Sequence, residues 1–373
     1  MRTRILLFLL SLILVPTATI AVIMFARGYR FSLKLQTFQA TGLLSATSLP
    51  TGASVYVNGE LKTATDTTLN LTPGVYQIKI KKDGFAPWEK TLKIEPEVVT
   101  RTAPLLFPTV PSMRSVTFSG ATLPTLSADG SKVAYLSENK LYTLDLSESA
   151  LGLLNRESKL IITSQGEVTQ LVWSPDNKQI LLMSTPSAYL VDLEKREIQP
   201  VLDLKTLQKD VKPDRNTELL PLQIREILAT SAANLVWSPR ENKVLYTATA
   251  SATIPSNLIP QLPGSNTQPQ SRNLKPGCVY VYDLEEDRNF SIENCKLKIE
   301  NLAWFSDSNH LVKTETKKVV IVEYDNQNPT TVYTGPMENG FVAPYPSSKQ
   351  MLILTNLTGN PITPPNLYAV SLR

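Results

Sequence analysis

Hydrophobic and polar residues alternate with a period of two along most of the chain, which is typical of β-strands with one buried face. Residues 53–57 alternate in this way, and Asn58-Gly59 follows at once. Asn-Gly favours a tight hairpin turn because both turn positions need positive φ. Residues 75–81 alternate again, with lysines on the polar face. The pattern predicts consecutive hairpins and an all-β fold after about residue 40.

The N-terminal segment breaks this pattern. Residues 5–26 carry no charge and form an apolar stretch of 22 residues between Arg4 and Arg27. As a helix, this stretch is long enough to cross a hydrocarbon core of about 30 Å. The segment 1–34 therefore predicts a single transmembrane anchor, with the bulk of the chain outside the cytoplasm.

A cleaved signal peptide is the alternative interpretation of the same segment. Pro16 interrupts the apolar run, and Thr19 with Ala21 resembles a small-x-small cleavage site. The apolar run nevertheless continues through residues 22–25, and signal peptides usually have hydrophobic regions of about 7–15 residues. An uncleaved anchor is favoured, and export is expected on either interpretation.

Residues 41–107 resemble a PEGA domain, a small β-sandwich found on bacterial and archaeal surface proteins. The resemblance rests on the motifs Pro50-Thr51-Gly52-Ala53, Val55-Tyr56-Val57-Asn58-Gly59, Leu71-Thr72-Pro73-Gly74-Val75-Tyr76 and Lys82-Asp83-Gly84-Phe85. Thr51 departs from the family, which often has Glu there. The resemblance implies a spacer or surface-interaction module without a catalytic residue.

A repeated unit fills the chain from residue 108 onward. Each copy has an apolar strand ending in an aromatic residue, a Ser-Pro-Asp-like turn, a second apolar strand, and a third strand that in several copies ends in Asp-Leu. The positions equivalent to the aromatic residue are Leu126, Trp173, Trp237, Trp304 and Tyr345. They are spaced by 47, 64, 67 and 41 residues, and a four-stranded propeller blade takes about 40–45.

The two long intervals contain insertions of different character. Residues 203–229 have a partly helical apolar pattern, whereas residues 248–276 are rich in Ser, Pro, Asn and Gln. We expect the second insertion to be an exposed loop and a variable contact surface, because loops of that length in compact domains usually carry function.

The Trp-Ser-Pro-Asp turn followed by an apolar strand resembles the TolB-like, WD-repeat-like β-propeller family over roughly residues 112–373. The resemblance implies a propeller of about five blades in the domain 108–373. A sixth blade, built partly from residues 112–122 and the C-terminus, and a stacked array of β-sandwiches remain alternatives. The propeller is favoured because radial packing protects strand edges. Trp173, Trp237 and Trp304 are expected to pack between blades.

Charge and residue inventory exclude several functions. The segment 1–34 has five basic and no acidic residues, which leaves 32 basic and 33 acidic residues elsewhere. A neutral ectodomain gives no electrostatic footprint for nucleic acid. His310 is the only histidine, and the sequence has no Gly-x-Ser-x-Gly elbow and no phosphate-binding Gly-rich loop. No cofactor, metal ligand or catalytic residue is predicted.

Three aspartates recur once per repeat, namely Asp129, Asp176 and Asp307. An enzymatic interpretation places such carboxylates around a central funnel, where a pair could cleave glycans. The structural interpretation is favoured, because each lies in a Ser-x-Asp-like turn where the carboxylate caps backbone amides. Catalytic groups would also not be expected to recur in register from one repeat to the next.

Cys278 and Cys295 flank a predicted hairpin whose turn falls at residues 285–288. Because both are equally far from the turn, we expect them to face each other across the strands. In an exported protein this pair predicts a disulfide, whereas a reducing compartment favours two buried thiols.

The leading hypothesis is a membrane-anchored extracytoplasmic binding or scaffold protein. Its partner would be a protein, peptidoglycan or another envelope polysaccharide, and the sequence does not indicate an oligomeric state. The alternatives are a glycan-cleaving propeller enzyme that uses funnel carboxylates, and an assembly scaffold.

Overall fold

A computed structural model describes residues 2–26, 29–32, 37–148, 157–164, 166–184, 187–201, 217–260, 262–292, 295, 299–360 and 362–373. Its contacts divide the chain into two compact units. The first comprises Met1–Leu106 with Ile259–Pro269, and the second comprises Phe107–Leu258 with Gln270–Arg373.

The first unit begins with helix α1 (Arg2–Ala26), followed by the hairpin strands β1 (Tyr29–Ser32) and β2 (Thr37–Ala40). The apolar side chains of α1 that the structure describes are largely exposed. Among the described residues, no helix combines the length and apolarity that a membrane span requires. The structure therefore does not support the predicted transmembrane anchor at 1–34.

A seven-stranded β-sandwich follows in the first unit. Its strands are β3 (Gly42–Ala46), β4 (Ser54–Val57), β5 (Glu60–Ala64), β6 (Thr67–Leu71), β7 (Gly74–Lys81), β8 (Trp88–Ile94) and β9 (Val99–Thr102). One sheet has the order β6-β3-β9, with β3 and β9 parallel, and the other has the order β5-β4-β7-β8. Alternate residues such as Val55, Ile78 and Ile80 are fully buried between the sheets. The alternation in the sequence therefore produces the core.

Ile259–Pro269 also belongs to this unit, although the sequence predicted an exposed loop at 248–276. Thr267 Oγ1 and Gln268 Nε2 both donate to the carbonyl oxygen of Thr91, at 3.0 and 2.9 Å. Because β8 is an edge strand, these bonds satisfy a carbonyl that the sheet leaves unpaired. Gln268 is buried within the predicted exposed loop, although neighbouring residues such as Leu262 and Thr267 are exposed.

The second unit carries twenty-two strands in its described part. They are β10 (Met113–Ser115), β11 (Thr122–Leu126), β12 (Lys132–Ser137), β13 (Lys140–Asp145), β14 (Lys159–Thr163), β15 (Val168–Trp173), β16 (Gln179–Ser184), β17 (Ala188–Asp192), β18 (Glu197–Pro200), β19 (Ala232–Trp237), β20 (Lys243–Ala248), β21 (Ala252–Thr253), β22 (Asn273–Leu274), β23 (Val279–Asp283), β24 (Arg288–Ile292), β25 (Leu302–Trp304), β26 (His310–Glu315), β27 (Lys318–Glu323), β28 (Thr330–Thr334), β29 (Val342–Pro344), β30 (Gln350–Thr355) and β31 (Asn366–Ser371).

Within the described residues twenty of these strands form five four-stranded antiparallel sheets, which we name blades 1 to 5, and β21 pairs with β22. The strand orders of the blades are β11-β12-β13-β14, β15-β16-β17-β18, β19-β20-β23-β24, β25-β26-β27-β28 and β29-β30-β31-β10. Strand β10 pairs with β31, so Met113 lies opposite Val370. Residues 113–115 thus complete blade 5 as its outermost strand, and they do not begin a sixth blade.

The five blades share one backbone turn between their first and second strands. In each, an amide one residue beyond the first strand donates to a carbonyl five residues later. The donor–acceptor pairs are Ser127–Lys132, Ser174–Gln179, Ser238–Lys243, Phe305–His310 and Tyr345–Gln350. This pattern places Pro344, and not Tyr345, at the position of the repeat tryptophans. The prediction for blade 5 was displaced by one residue because Tyr345 is its nearest aromatic residue.

Tryptophans fill two of the spaces between blades. Trp173 packs among apolar residues of blades 1 and 2, and its Nε1 donates to the carbonyl of Thr125 at 3.1 Å. Trp304 packs between blades 3 and 4, and its Nε1 donates to the carbonyl of Val236 at 3.0 Å. Each tryptophan therefore joins its blade to the preceding one.

Trp237 has a different environment, because its cluster combines residues of its own blade with residues of the insertion that precedes β19. It packs in a cluster with Ile224 and Leu228 of helix α2 (Leu222–Ser231). The sequence predicted partly helical structure at 203–229, and α2 lies in that region. Residues 203–216 of this prediction lie outside the described residues. Two short 3₁₀ turns, Thr217–Leu219 and Ile299–Asn301, complete the helical structure of the described residues.

A buried ion pair joins the remainder of the 248–276 insertion to blade 3. Arg272 pairs with the fully buried Asp287, with Nη1 3.3 Å from Oδ1, and also donates to the carbonyls of Pro255 and Asp287. Tyr282 Oη and the amide of Leu258 donate to the Asp287 carboxylate at 3.0 and 2.9 Å. The insertion is therefore an ordered part of the second unit here, and not a free loop.

Candidate functional site

The antiparallel strand order places two sets of turns at the same end of the propeller. Turns that join first to second strands and turns that join third to fourth strands lie at this end, which we name the turn face. Asp129, Asp176 and Asp307 all belong to first–second turns and lie on the turn face. Asp129 and Asp176 line one cleft, and Asp307 is not among the residues of its walls.

Each of the three aspartates caps its own turn. Asp129 accepts hydrogen bonds from Ser127 Oγ, from the Ser131 amide and from Ser131 Oγ, at 2.7–3.0 Å. Asp176 accepts from Ser174 Oγ at 2.6 Å and from the Lys178 amide at 3.2 Å. These contacts are the turn capping that the sequence predicted.

The protonation of these carboxylates follows from the caps. Burial raises the pKa of Asp129, but hydrogen bonds from Ser127 and Ser131 lower it more, so the pKa lies below its ordinary value. The hydrogen bond from Ser174 lowers the pKa of Asp176. A glycosidase general acid needs a raised pKa, and these two groups have the opposite shift.

Asp307 caps its turn and also holds the single histidine. Its Oδ1 accepts from the amides of Asn309 and His310, and its Oδ2 lies 2.6 Å from His310 Nδ1. The imidazole is buried edge-on against the rings of Phe107 and Phe305. Burial raises the pKa of Asp307, but the contacts with His310 lower it by more, so the pKa lies below its ordinary value. This arrangement is a packed turn.

A cleft of about 530 Å³ opens on the turn face between blades 1 and 2, and we name it the blade 1–2 cleft. Its walls carry the carboxylates Asp129, Asp145, Glu157, Asp176 and Glu194. They also carry the ammonium groups of Lys132, Lys159 and Lys178, beside the apolar Leu193 and Ile161. A volume of about 300–1,000 Å³ is typical of ligand pockets. The structure thus brings two of the predicted aspartates together and leaves Asp307 elsewhere.

No motif in the sequence marks the lysines and Leu193 of this cleft. Lys132 and Lys178 follow the turn in their repeats, and Leu193 follows the Asp192 that ends a third strand. A comparison of the five turns position by position could have marked them as places where the copies differ. The Ser-Pro-Asp motif identifies the turn, but two neighbouring blades are needed to form a cleft.

The sandwich has a groove of its own, of about 460 Å³, over the β4-β7-β8 face. Here Glu89 is engaged internally, because Lys79 Nζ lies 3.5 Å from its Oε2 and Gln77 donates to its Oε1. The blade 1–2 cleft is the stronger candidate, since the described structure shows no ion pair between its lysines and the carboxylates of its walls.

Cys278 and Cys295 are joined in a disulfide. Val279 pairs with Ile292 across β23 and β24, so Cys295 lies three residues beyond the end of the hairpin. The symmetric spacing suggested that the two cysteines face each other in the ladder, but this register does not pair them. The disulfide instead links the two chain segments just beyond the last strand pair. Among the described residues no group of His, Cys, Asp and Glu side chains could hold a metal ion.

Comparison with known proteins agrees with the two units. Residues 41–106 match the family model for the PEGA domain, and this part of the chain is a PEGA domain. The second unit is a β-propeller by its own sheet topology. No curated protein matches the chain in sequence.

Solved propellers resemble the chain at low identity. The β-propeller domain of Myceliophteria thermophila Cps50 (Swd1) is 11% identical, with 70% of this chain and 100% of that chain covered and a TM-score of 0.33. A putative TolB from Agrobacterium tumefaciens is 13% identical, with 66% and 74% covered and a TM-score of 0.25. TolB from Acinetobacter baumannii is 15% identical, with 79% and 59% covered and a TM-score of 0.22. At these values the comparisons carry no argument about activity.

Proposed function

We propose that the chain is an extracytoplasmic binding or scaffold protein of the cell envelope, and that its propeller binds a protein partner in the blade 1–2 cleft. The observation that carries this proposal is the cleft itself, which is open and lined by charges of both signs. Polar rims of this kind orient a protein partner and exclude wrong ones. The capped aspartates, with lowered pKa values, support binding over catalysis.

Photo-crosslinking in cells tests this proposal. A photoreactive amino acid at Glu194, an exposed residue of the cleft wall, is expected to give an adduct of defined mass with a partner protein. The matched control is Glu285, which is also exposed and has the same place after the third strand of blade 3. Adducts of equal yield from both positions, or none from Glu194, would contradict binding at this cleft.

The envelope location rests on different observations. The disulfide between Cys278 and Cys295 supports an oxidising compartment. The uncharged stretch 5–26, whose described side chains are exposed in α1, supports attachment to a membrane. We therefore propose that the chain is attached to the cell membrane through α1, with the sandwich and the propeller outside the cytoplasm.

Fractionation with thiol alkylation checks this location. The full chain is expected in the membrane fraction with both cysteines resistant to alkylation until a reductant is added. Deleting residues 2–26 removes the proposed targeting segment, so this variant is expected in the soluble fraction with both thiols reactive. Recovery of the full chain as a soluble protein, or with free thiols, would refute the placement.

A further inference from the structure

The blade 1–2 cleft has a closed counterpart in the same propeller. Lys132 of blade 1 and Lys243 of blade 3 have the same place in their turns, since each carbonyl accepts from the serine amide five residues earlier. Each lysine also lies opposite the aspartate that ends the third strand, which is Asp145 in blade 1 and Asp283 in blade 3. The two blades therefore carry the same lysine–aspartate pair.

In blade 3 this pair is sealed by the next blade. Lys243 Nζ lies 3.4 Å from Asp283 Oδ2, and the two side chains are only 4% and 2% exposed. The ring of Tyr324, from blade 4, covers the ammonium group, with its centroid 4.6 Å from Nζ. Burial raises the pKa of Asp283, and the attraction of Lys243 offsets this only in part. The aromatic ring thus helps to shield this lysine–aspartate pair from solvent at the contact between blades 3 and 4.

Blade 2 supplies a leucine where blade 4 supplies that tyrosine. The amide of Leu193 donates to the Lys178 carbonyl, and the amide of Tyr324 donates to the Asn309 carbonyl, at the same place in each blade. Leu193 has no aromatic ring, and the 530 Å³ cleft opens at this place beside Lys132. The cleft therefore opens where a ring equivalent to Tyr324 is missing.

The lysine–aspartate pair of blade 1 is also left open. Asp145 Oδ1 accepts from the amide and hydroxyl of Ser147, at 2.8 and 2.5 Å. No ion pair joins Lys132 to Asp145 in the part of the chain that the structure describes, and both side chains are half-buried at the cleft wall. Lys132 therefore presents its charge to the cleft.

We propose that the blade 1–2 cleft receives an aromatic side chain of the partner protein, which occupies over Lys132 the place that Tyr324 occupies over Lys243. A lysine ammonium is attracted to the face of an aromatic ring within about 6 Å. Aromatic anchors in pockets with a polar rim are also the usual energetic centres of protein interfaces. The charged groups around the rim would orient the chain that carries the ring.

This inference rests on the proposed function, and ligand-observed NMR tests it separately. The full chain in detergent micelles is saturated, and transfer is measured to two probes, N-acetyl-tyrosinamide and N-acetyl-leucinamide. We expect transfer to the tyrosine ring protons that exceeds transfer to the leucine methyl protons several-fold. Leu193→Tyr should fill the cleft with the chain's own ring and reduce the transfer to the level of micelles alone.

Two further variants control for folding and for charge. Leu284→Met changes the equivalent residue of blade 3, which does not line the cleft, so transfer should stay within twofold of the wild type. Lys132→Met keeps the apolar stem and removes the charge, so transfer to the ring should fall at least threefold. Equal transfer in the wild type, Leu193→Tyr and Lys132→Met, or no preference for the tyrosine probe, would overturn the inference. A Glu194 adduct without ring transfer would sink this inference alone and leave the proposed function standing.

Discussion

Replacing Asp287 by alanine is expected to lower the free energy of unfolding of the propeller by about 3–5 kcal/mol. The carboxylate is fully buried and accepts hydrogen bonds from Tyr282 and from the amide of Leu258, beside Arg272. Its removal leaves the Arg272 guanidinium without its charge partner in a largely buried place. The insertion that follows β20 would then lose its attachment to blade 3.

Chemical denaturation measures this loss, with Arg196→Ala as the matched control. Arg196 is exposed and has the same place in the third–fourth turn of blade 2, with a similar left-handed backbone (φ 59° against 49° for Asp287). Arg196→Ala therefore measures the free-energy cost of placing alanine at a positive φ, and it leaves the buried cluster around Asp287 intact. Equal destabilisation by the two variants would show that the cluster contributes nothing.

Trp304→Ala is expected to destabilise the propeller by a similar amount, about 3–5 kcal/mol. The indole is 9% exposed, packs between blades 3 and 4, and donates from Nε1 to the carbonyl of Val236. Alanine would leave a cavity between the blades and an unpaired carbonyl. Thermal and denaturant unfolding of the full chain would report the change as a lower midpoint for the transition of the propeller.

Trp304→Phe is the control for the cavity, because phenylalanine retains most of the buried apolar volume. It should cost clearly less than alanine, with the lost hydrogen bond as the main remaining term. The interblade role would be contradicted if alanine and phenylalanine had the same effect, or if neither changed the unfolding midpoint.

The sequence was sufficient where one short pattern determines local structure. Asn58-Gly59 and the Ser-x-Asp turns fix backbone geometry within a few residues, so hairpins, blades and the caps at Asp129 and Asp176 were predictable. The apolar alternation fixed which face of each strand is buried. The repeat of these patterns indicated a propeller because a single four-stranded sheet cannot bury both faces.

The sequence was insufficient where distant segments meet. The 248–276 insertion is polar and rich in proline, and only the contacts of Arg272 and Gln268 show that it is ordered. The displaced assignment at Tyr345 arose because a proline occupies the tryptophan place in blade 5. The cleft depends on Leu193 standing where another blade has Tyr324, which is visible only after the blades are aligned by their hydrogen bonds.

The most direct test of the account is the Glu194 photo-crosslink measured in the wild type and in Leu193→Tyr. If the cleft binds a partner through an aromatic side chain, the adduct forms in the wild type and is lost when tyrosine fills the cleft. Leu284→Met, at the equivalent place in blade 3, should retain the adduct. Persistence of the same adduct, at the same yield, in Leu193→Tyr would contradict the claim that this cleft is the binding site.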